Sequence, residues 1–263
     1  MCIEIFEMFG ASFILITLLM TTLWFIATFK QNAGIVDIGW AISFFIAIWA
    51  YFLLGDGFWL KRLLLTAMVS AWSLRLAWYI GKRFDFSVED PRYTDLKESL
   101  GAEMSDFKMF LMFLFQGFLV IVLTIPFAIV AGYSTSTWHP LEGLGILIWA
   151  GGFAGQYYAD QQLENFKRNP ANEGKVCNAG LWKYSRHPNY FFEWVIWIGY
   201  FFFAFPSPWG WLALISPVLM LIFLTRVSGI PPAERQALKT KGDAYREYME
   251  ITSPFVPLPP KKG

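Results

Sequence analysis

Charge is what this sequence lacks most. Only 16% of its 263 residues are Asp, Glu, Lys or Arg, while 56% are hydrophobic and the mean hydropathy is +0.43. A soluble domain carries roughly 25% charged residues, and a chain this apolar cannot cover a water-exposed core with polar surface. Cysteine is nearly missing too: Cys2 and Cys177 alone exclude a disulfide scaffold. With two histidines beside them and no ligand spacing, no metal site is expected. A net charge of +1 offers nothing to nucleic acid. Also absent are GxGxxG after a strand, GxxxxGK[ST], HExxH, a CxxC pair and a nucleophile elbow, so the soluble-fold cofactor fingerprints do not apply. The composition points to an all-α integral membrane protein.

What is there is a set of seven apolar stretches: 8–29, 38–54, 63–80, 109–130, 143–158, 190–205 and 209–225. They predict a bundle of seven transmembrane helices in a single membrane domain over 1–263. Crossing the hydrocarbon takes about 20 residues, so 143–158 and 190–205 are short. Both are expected to continue as helix, with polar ends entering a protein-lined cavity. The first stretch is too long for a cleaved signal peptide and is preceded by Glu4 and Glu7 rather than a basic segment. Of 21 Lys and Arg, only Lys61 and Arg62 fall on the side shared by the N-terminus and the loops after the second, fourth and sixth spans. Arg75 lies within the third span, and the remainder follow the other four. Basic excess marks the cytoplasmic side, which predicts an outside N-terminus, a cytoplasmic C-terminus and chemistry that opens to the cytoplasm. Cys2 and Cys177 then lie on opposite faces. The run Gly151-Gly152-Phe153-Ala154-Gly155 reads as close helix packing, and the proline-rich 254–260 as an extended tail.

Ionisable groups within spans are costly and point to function. Asp37, with Trp40 one turn on, opens the second span, either as an N-cap or with a second role. Trp72, Arg75, Tyr79 and Arg83 share one face of the third. Gln156 and Asp160 share a face where the fifth emerges, followed by Lys167 and Arg168, a mixture that suits a ligand with hydroxyls and phosphates. The densest cluster runs from Gly180 to Glu193. Pro188 starts the sixth span, and Asn189 and Glu193 point the same way into it. Lys175, Lys183, Arg186 and the first N–H groups of that helix make a phosphate cradle. Beyond Pro231 and Pro232 a short amphipathic helix is expected, with Arg226 and Glu234 within reach of a ligand.

These residues carry a resemblance. The block from Gly180 to Glu193, with Arg226 and the Glu234/Tyr245 tail, is similar to the C-terminal half of membrane steroid and sterol reductases. Isoprenylcysteine carboxyl methyltransferases share part of it. Seven spans, the Asp37/Trp40 pair and Glu89-Asp90-Pro91-Arg92-Tyr93 resemble a bacterial, proteobacterial branch of the steroid 5-alpha-reductase family. That resemblance implies NADPH bound by residues 141–263, and a 3-oxo-4-ene steroid or similar lipid enone entering from the bilayer beside spans one to four. It implies a monomer in a bacterial inner membrane. Its cofactor pattern falls on Arg75, Gln156, Asp160, Lys167, Arg168, Lys175, Trp182, Tyr184, Ser185, Arg186, His187, Asn189, Glu193, Arg226 and Glu234. Trp40 and Trp72 are left to line the substrate pocket.

One departure matters. The family's catalytic tyrosine, three residues before the span-three arginine, is Trp72 here, which cannot protonate an enolate oxygen. Asp37, Tyr79 and Tyr93 are therefore the candidate donors. Two other functions stay open: an S-adenosylmethionine-dependent membrane methyltransferase, and a transporter, whose site should lie near the midplane.

Overall fold

The computed structural model describes residues 2–100 and 105–261, with the side chains of 5–98 and 106–261. The side chain of Cys2 lies outside these. Eleven α-helices are described: α1 (Cys2–Lys30), α2 (Ile35–Leu54), α3 (Trp59–Gly81), α4 (Pro91–Leu100), α5 (Ser105–Leu123), α6 (Ile125–Ala131), α7 (Pro140–Arg168), α8 (Pro188–Ala204), α9 (Ile215–Ile222), α10 (Ile230–Lys241) and α11 (Asp243–Ile251). No strand occurs among the described residues. Ser185 and Ser253 form an isolated parallel bridge.

Five helical runs are long and apolar enough to cross a bilayer: Ile5–Lys30, Ile35–Leu54, Trp59–Gly81, Asp106–Leu123 and Gly210–Lys241. The fourth expected span is not one helix. Thr124 separates α5 from α6, and Pro126 stands in the first turn of α6. Proline has no N–H and clashes with the carbonyl four residues back, so the helix restarts there. The expected extension of 143–158 is found: α7 runs on to Arg168. The partner α8 adds only Pro188 and Asn189 ahead of 190–205 and stops after 17 residues. In the last run, a 3₁₀ segment (Gly210–Leu214) precedes α9 and a π-helical turn (Phe223–Val227) follows it.

The chain divides into two compact units. The first comprises Met1–Thr137 with Ser207–Leu212. In it α2 packs against α1, α3, α5 and α6 and is the most buried of its candidate spans. Helix α1 ends in a reversed turn with Gln31 in the left-handed region at φ 56°. There Asn32 N donates to Ala27 O at 3.0 Å and the Gln31 side chain to Thr28 O, which satisfies carbonyls the helix end leaves open.

The second unit comprises Trp138–Pro206 with Ala213–Gly263, and its centre is the α7–α8 pair. Helix α7 begins with Pro140 in its first turn. His139 Nδ1 accepts from Leu141 N and buried Glu142 accepts from His139 N, a reciprocal cap. The two helices meet backbone to backbone. A Cβ on Gly152 would lie 2.8 Å from Ile196 N, and one on Gly199 2.7 Å from Trp149 N. Gly151 faces open space, so the expected packing role belongs to Gly152 and Gly155 within that run.

Candidate functional site

Each unit carries its own polar cluster. In the first, the α3–α4 segment is tied down over the turn between α1 and α2. Asn32 Nδ2 donates to the carbonyls of Asp85, Phe86 and Val88 at 3.0–3.3 Å. Glu89 accepts from Ala33 N at 2.8 Å and from Lys97 at 2.6 Å. This brings α4 onto Asp37, whose two oxygens receive Arg92 Nη2 and the Tyr93 hydroxyl, each at 2.7 Å. Arg92 also grips Asp90 through Nε and Nη2. Of the roles open to Asp37 the N-cap is not taken: the cap position is Gly34, and Asp37 sits in the first turn as a side-chain acceptor.

Electrostatics follow the geometry. Burial, then the charge of Asp37, pushes the Tyr93 phenol well above its usual range. Burial opposes charge on Asp90, but the Arg92 side-chain and backbone donors outweigh it and hold the carboxyl low. Burial likewise opposes charge on Arg92, yet Asp90 and Asp37 raise its pKa further.

Tyr79 stands elsewhere in this unit, with Arg83 4.1 Å, Lys82 5.1 Å and Arg75 6.0 Å from its ring centre. The predicted Arg75–Tyr79–Arg83 stripe is thus a cation–π stack along α3. Trp72 is fully buried, with Phe44 at 5.0 Å and Trp40 at 6.5 Å, an aromatic core position rather than an open pocket wall. A cleft lined by Trp24, Gln31, Lys97 and Asp106 among others is about 80 Å³, well below the roughly 300–1,000 Å³ of ligand sites.

In the second unit, Gln156, Asp160 and Glu193 are buried and Asn189 half-buried along the α7–α8 seam. Gln156 Nε2 donates to Glu193 Oε2 at 2.5 Å, and Trp197 Nε1 to Glu193 Oε1 at 2.9 Å. Asn189 Nδ2 donates to Asp160 Oδ1 at 3.3 Å. The carboxylates fix which way both amides face, because only the NH₂ end can donate. Gln156 Oε1 and Asn189 Oδ1 are left buried with no partner. Orphaned acceptors of this kind cost about 1–3 kcal/mol each, which a donor-bearing ligand recovers.

The segment before α8 has a different task from the one its sequence suggested. Arg186 does not face an open cradle. Its Nε meets Glu234 at 2.7 Å, and Nη1 donates to Met249 O and Thr252 O at 2.8 Å. His187 stacks on Tyr190 and reaches Glu234 at 3.3 Å. Ser185 Oγ donates to Phe255 O, Arg186 N to Ser253 O and Leu258 N to Tyr184 O. Trp182 Nε1 donates to Ala159 O, and Trp182 O accepts from the Tyr248 hydroxyl. Trp182, Tyr184, Ser185, Arg186, His187 and Glu234 therefore anchor the chain's C-terminal segment. The physical reason is saturation: a buried guanidinium takes the nearest carboxylate and carbonyls. Lys167, Arg168, Lys175, Lys183 and Arg226 are exposed, with Arg168 paired to Glu164. Burial raises the Cys177 thiol pKa.

A family profile described as a protein of unknown function (DUF1295) matches residues 23–252. The chain belongs to that family. The family is grouped with the steroid 5-alpha-reductase-like proteins. An uncharacterised protein, C9.08c, of Schizosaccharomyces pombe is 34% identical over 95 residues, which are 30% of this chain and 34% of the fungal one. The chain thus matches about a third of that relative's length. No solved structure matches.

Of the predicted residues, the fold brings Asp37 to Tyr93 in one unit, and Gln156, Asp160, Asn189 and Glu193 together in the other. It does not bring Arg186 to an open surface. The sequence reading missed Arg92, Asn32 and Glu89 as members of the Asp37 network. The signal for Arg92 and Glu89 was present in a charged run, Glu89-Asp90-Pro91-Arg92, holding a proline at a helix start; Asn32 carried none.

Proposed function

We propose that this protein reduces a carbon–carbon double bond conjugated to a ketone in a steroid or steroid-like lipid, with NADPH as the reductant. The observation that carries the reading is the pair of buried, unpartnered amide oxygens of Gln156 and Asn189, each fixed by a carboxylate. A primary carboxamide such as that of nicotinamide has two N–H donors to offer them. Glu193 and Asp160 hold the two amides in that orientation. The exposed cations of the same unit, Lys167, Arg168, Lys175, Lys183 and Arg226, suit the phosphates. When bound, the cofactor supplies the hydride.

In this reading Tyr93 is the candidate hydrogen-bond donor to the developing enolate oxygen, and water supplies the proton that the α-carbon takes up. Tyr93 keeps its phenol protonated, and rotation about Cζ–Oη turns that proton from Asp37 toward a ketone oxygen on which charge develops. One such donor is worth roughly 3–4 kcal/mol to the rate. Asp37, clamped by Arg92, orients the phenol rather than donating itself. The distribution of basic residues supports a cytoplasmic C-terminus, and in the same reading the protein sits in a bacterial inner membrane. In the same reading α7 and α8 complete seven spans, and the protein acts as a monomer.

Thermal stabilisation of the purified protein tests the cofactor. NADPH stabilises it, NADH does so far less, and replacing Gln156 or Asn189 with Leu weakens NADPH binding by about 1–3 kcal/mol. Arg186 is taken up internally, so it does not count against S-adenosylmethionine, a ligand without phosphates. Stabilisation by S-adenosylmethionine and not by NADPH would establish that alternative instead.

A further inference from the structure

We propose that the end of the first unit where α1 stops, α2 begins and α3 stops is a binding site for the headgroups of anionic phospholipids, with Lys30 and Arg83 as its contacts. This site shares the Asn32 tie with the Asp37 cluster but uses neither Asp37 nor Tyr93, and it does not depend on the reductase reading.

Arg83 is held before any ligand arrives. Its Nε donates to Tyr79 O at 3.1 Å and its guanidinium carbon lies 4.1 Å from the Tyr79 ring centre. The side chain is nonetheless exposed. A planar, pre-oriented guanidinium with free edge suits the two oxygens of a phosphodiester. Lys30 is exposed as well, its Nζ 5.7 Å from the Phe29 ring centre and 5.9 Å from that of Phe86. The three bonds from Asn32 to the Asp85–Val88 carbonyls make the α1–α2 turn and the loop after α3 a single rim, so both cations ride on one support. Of the acids in that loop, Asp85 accepts from Ser87 N at 2.8 Å, Glu89 from Ala33 N and Lys97, and Asp90 from Arg92.

The aromatic surroundings choose the occupant. Phe29, beside Lys30, is 83% exposed, and Trp78, in the last turn of α3, 73%. A free phosphate ion would leave those rings in water. A phospholipid covers them with its glycerol and upper acyl chains while its phosphate meets the cations, the usual placing of aromatic side chains at headgroup level. Each basic residue near an anionic lipid surface contributes roughly a fivefold preference.

The test uses the full-length protein in mixed micelles, with energy transfer from its tryptophans to dansyl-labelled phosphatidylglycerol or phosphatidylcholine. The wild type enriches phosphatidylglycerol several-fold over phosphatidylcholine, and Lys30→Gln with Arg83→Gln abolishes the enrichment. Lys30→Arg with Arg83→Lys retains it, and Lys239→Gln, at an exposed site on α10, leaves it intact. The charge-conserving variant separates loss of contact from loss of fold. Equal transfer to the two lipids by the wild type overturns the proposal, as does enrichment that survives the double substitution. Displacement of phosphatidylglycerol by an equal concentration of inorganic phosphate also overturns it, since the ligand would then be the free ion.

Discussion

Arg186→Gln is the perturbation that best separates what this segment does from what its sequence suggested. The guanidinium makes three bonds, to Glu234, Met249 O and Thr252 O, all between 2.7 and 2.8 Å. Its side chain is 8% exposed and that of Glu234 15%, so water replaces little of what is lost. Removing one partner of a buried pair leaves the other charged and unsatisfied, at about 3–5 kcal/mol. For a chain of this size that corresponds to a Tm roughly 10 °C lower. Thermal unfolding in detergent reads the first effect, and faster proteolysis beyond Thr252 the second. The paired change Arg186→Met with Glu234→Leu recovers most of the loss, because neither charge then has to be buried. A wild-type Tm and a protected tail in Arg186→Gln, together with roughly tenfold weaker NADPH binding, would refute this reasoning and return Arg186 to the phosphates.

Three further expectations follow from the same geometry. Tyr93→Phe removes the proposed donor and lowers turnover by about 10²–10³-fold with NADPH binding unchanged, whereas an unaltered rate moves the donor's role to Tyr79. Asp90 has a folded pKa below its ordinary value. Its contribution to holding α4 is therefore complete above about pH 4 and is lost as pH falls through that lower value. Hydrogen exchange of the α4 amides reports this, and Asp90→Asn removes that pH dependence. On α7, Gly152→Ala drives a methyl group into the Ile196 backbone and costs about 1–3 kcal/mol. Neighbouring Gly151→Ala meets nothing and gains up to about 1 kcal/mol from helix propensity. Thermal unfolding of the pair compares them directly.

The membrane character, the all-helical class and most helix positions follow from local composition, because burying backbone in hydrocarbon forces helix wherever a long apolar run occurs. The start of α8 at Pro188 and the shared face of Asn189 and Glu193 are legible for the same reason: proline and a 3.6-residue period act within a few residues. The break at Thr124 was legible in principle from Pro126. Partner choice was not. The sequence shows that Arg186 is a cation, but whether it meets phosphate or Glu234 depends on a residue 48 positions away arriving at 2.7 Å. Asp37 similarly reads as either a cap or a donor until α4 brings Arg92 and Tyr93 across some 55 residues of chain. The two orphaned amide oxygens are the clearest case. Neither Gln156 nor Asn189 carries any mark of an unmet acceptor; only packing α7 against α8 gives each NH₂ group its carboxylate and buries the oxygen left over. Local rules place the side chains along each helix, and the tertiary structure decides which of their hydrogen-bonding groups remain for a ligand.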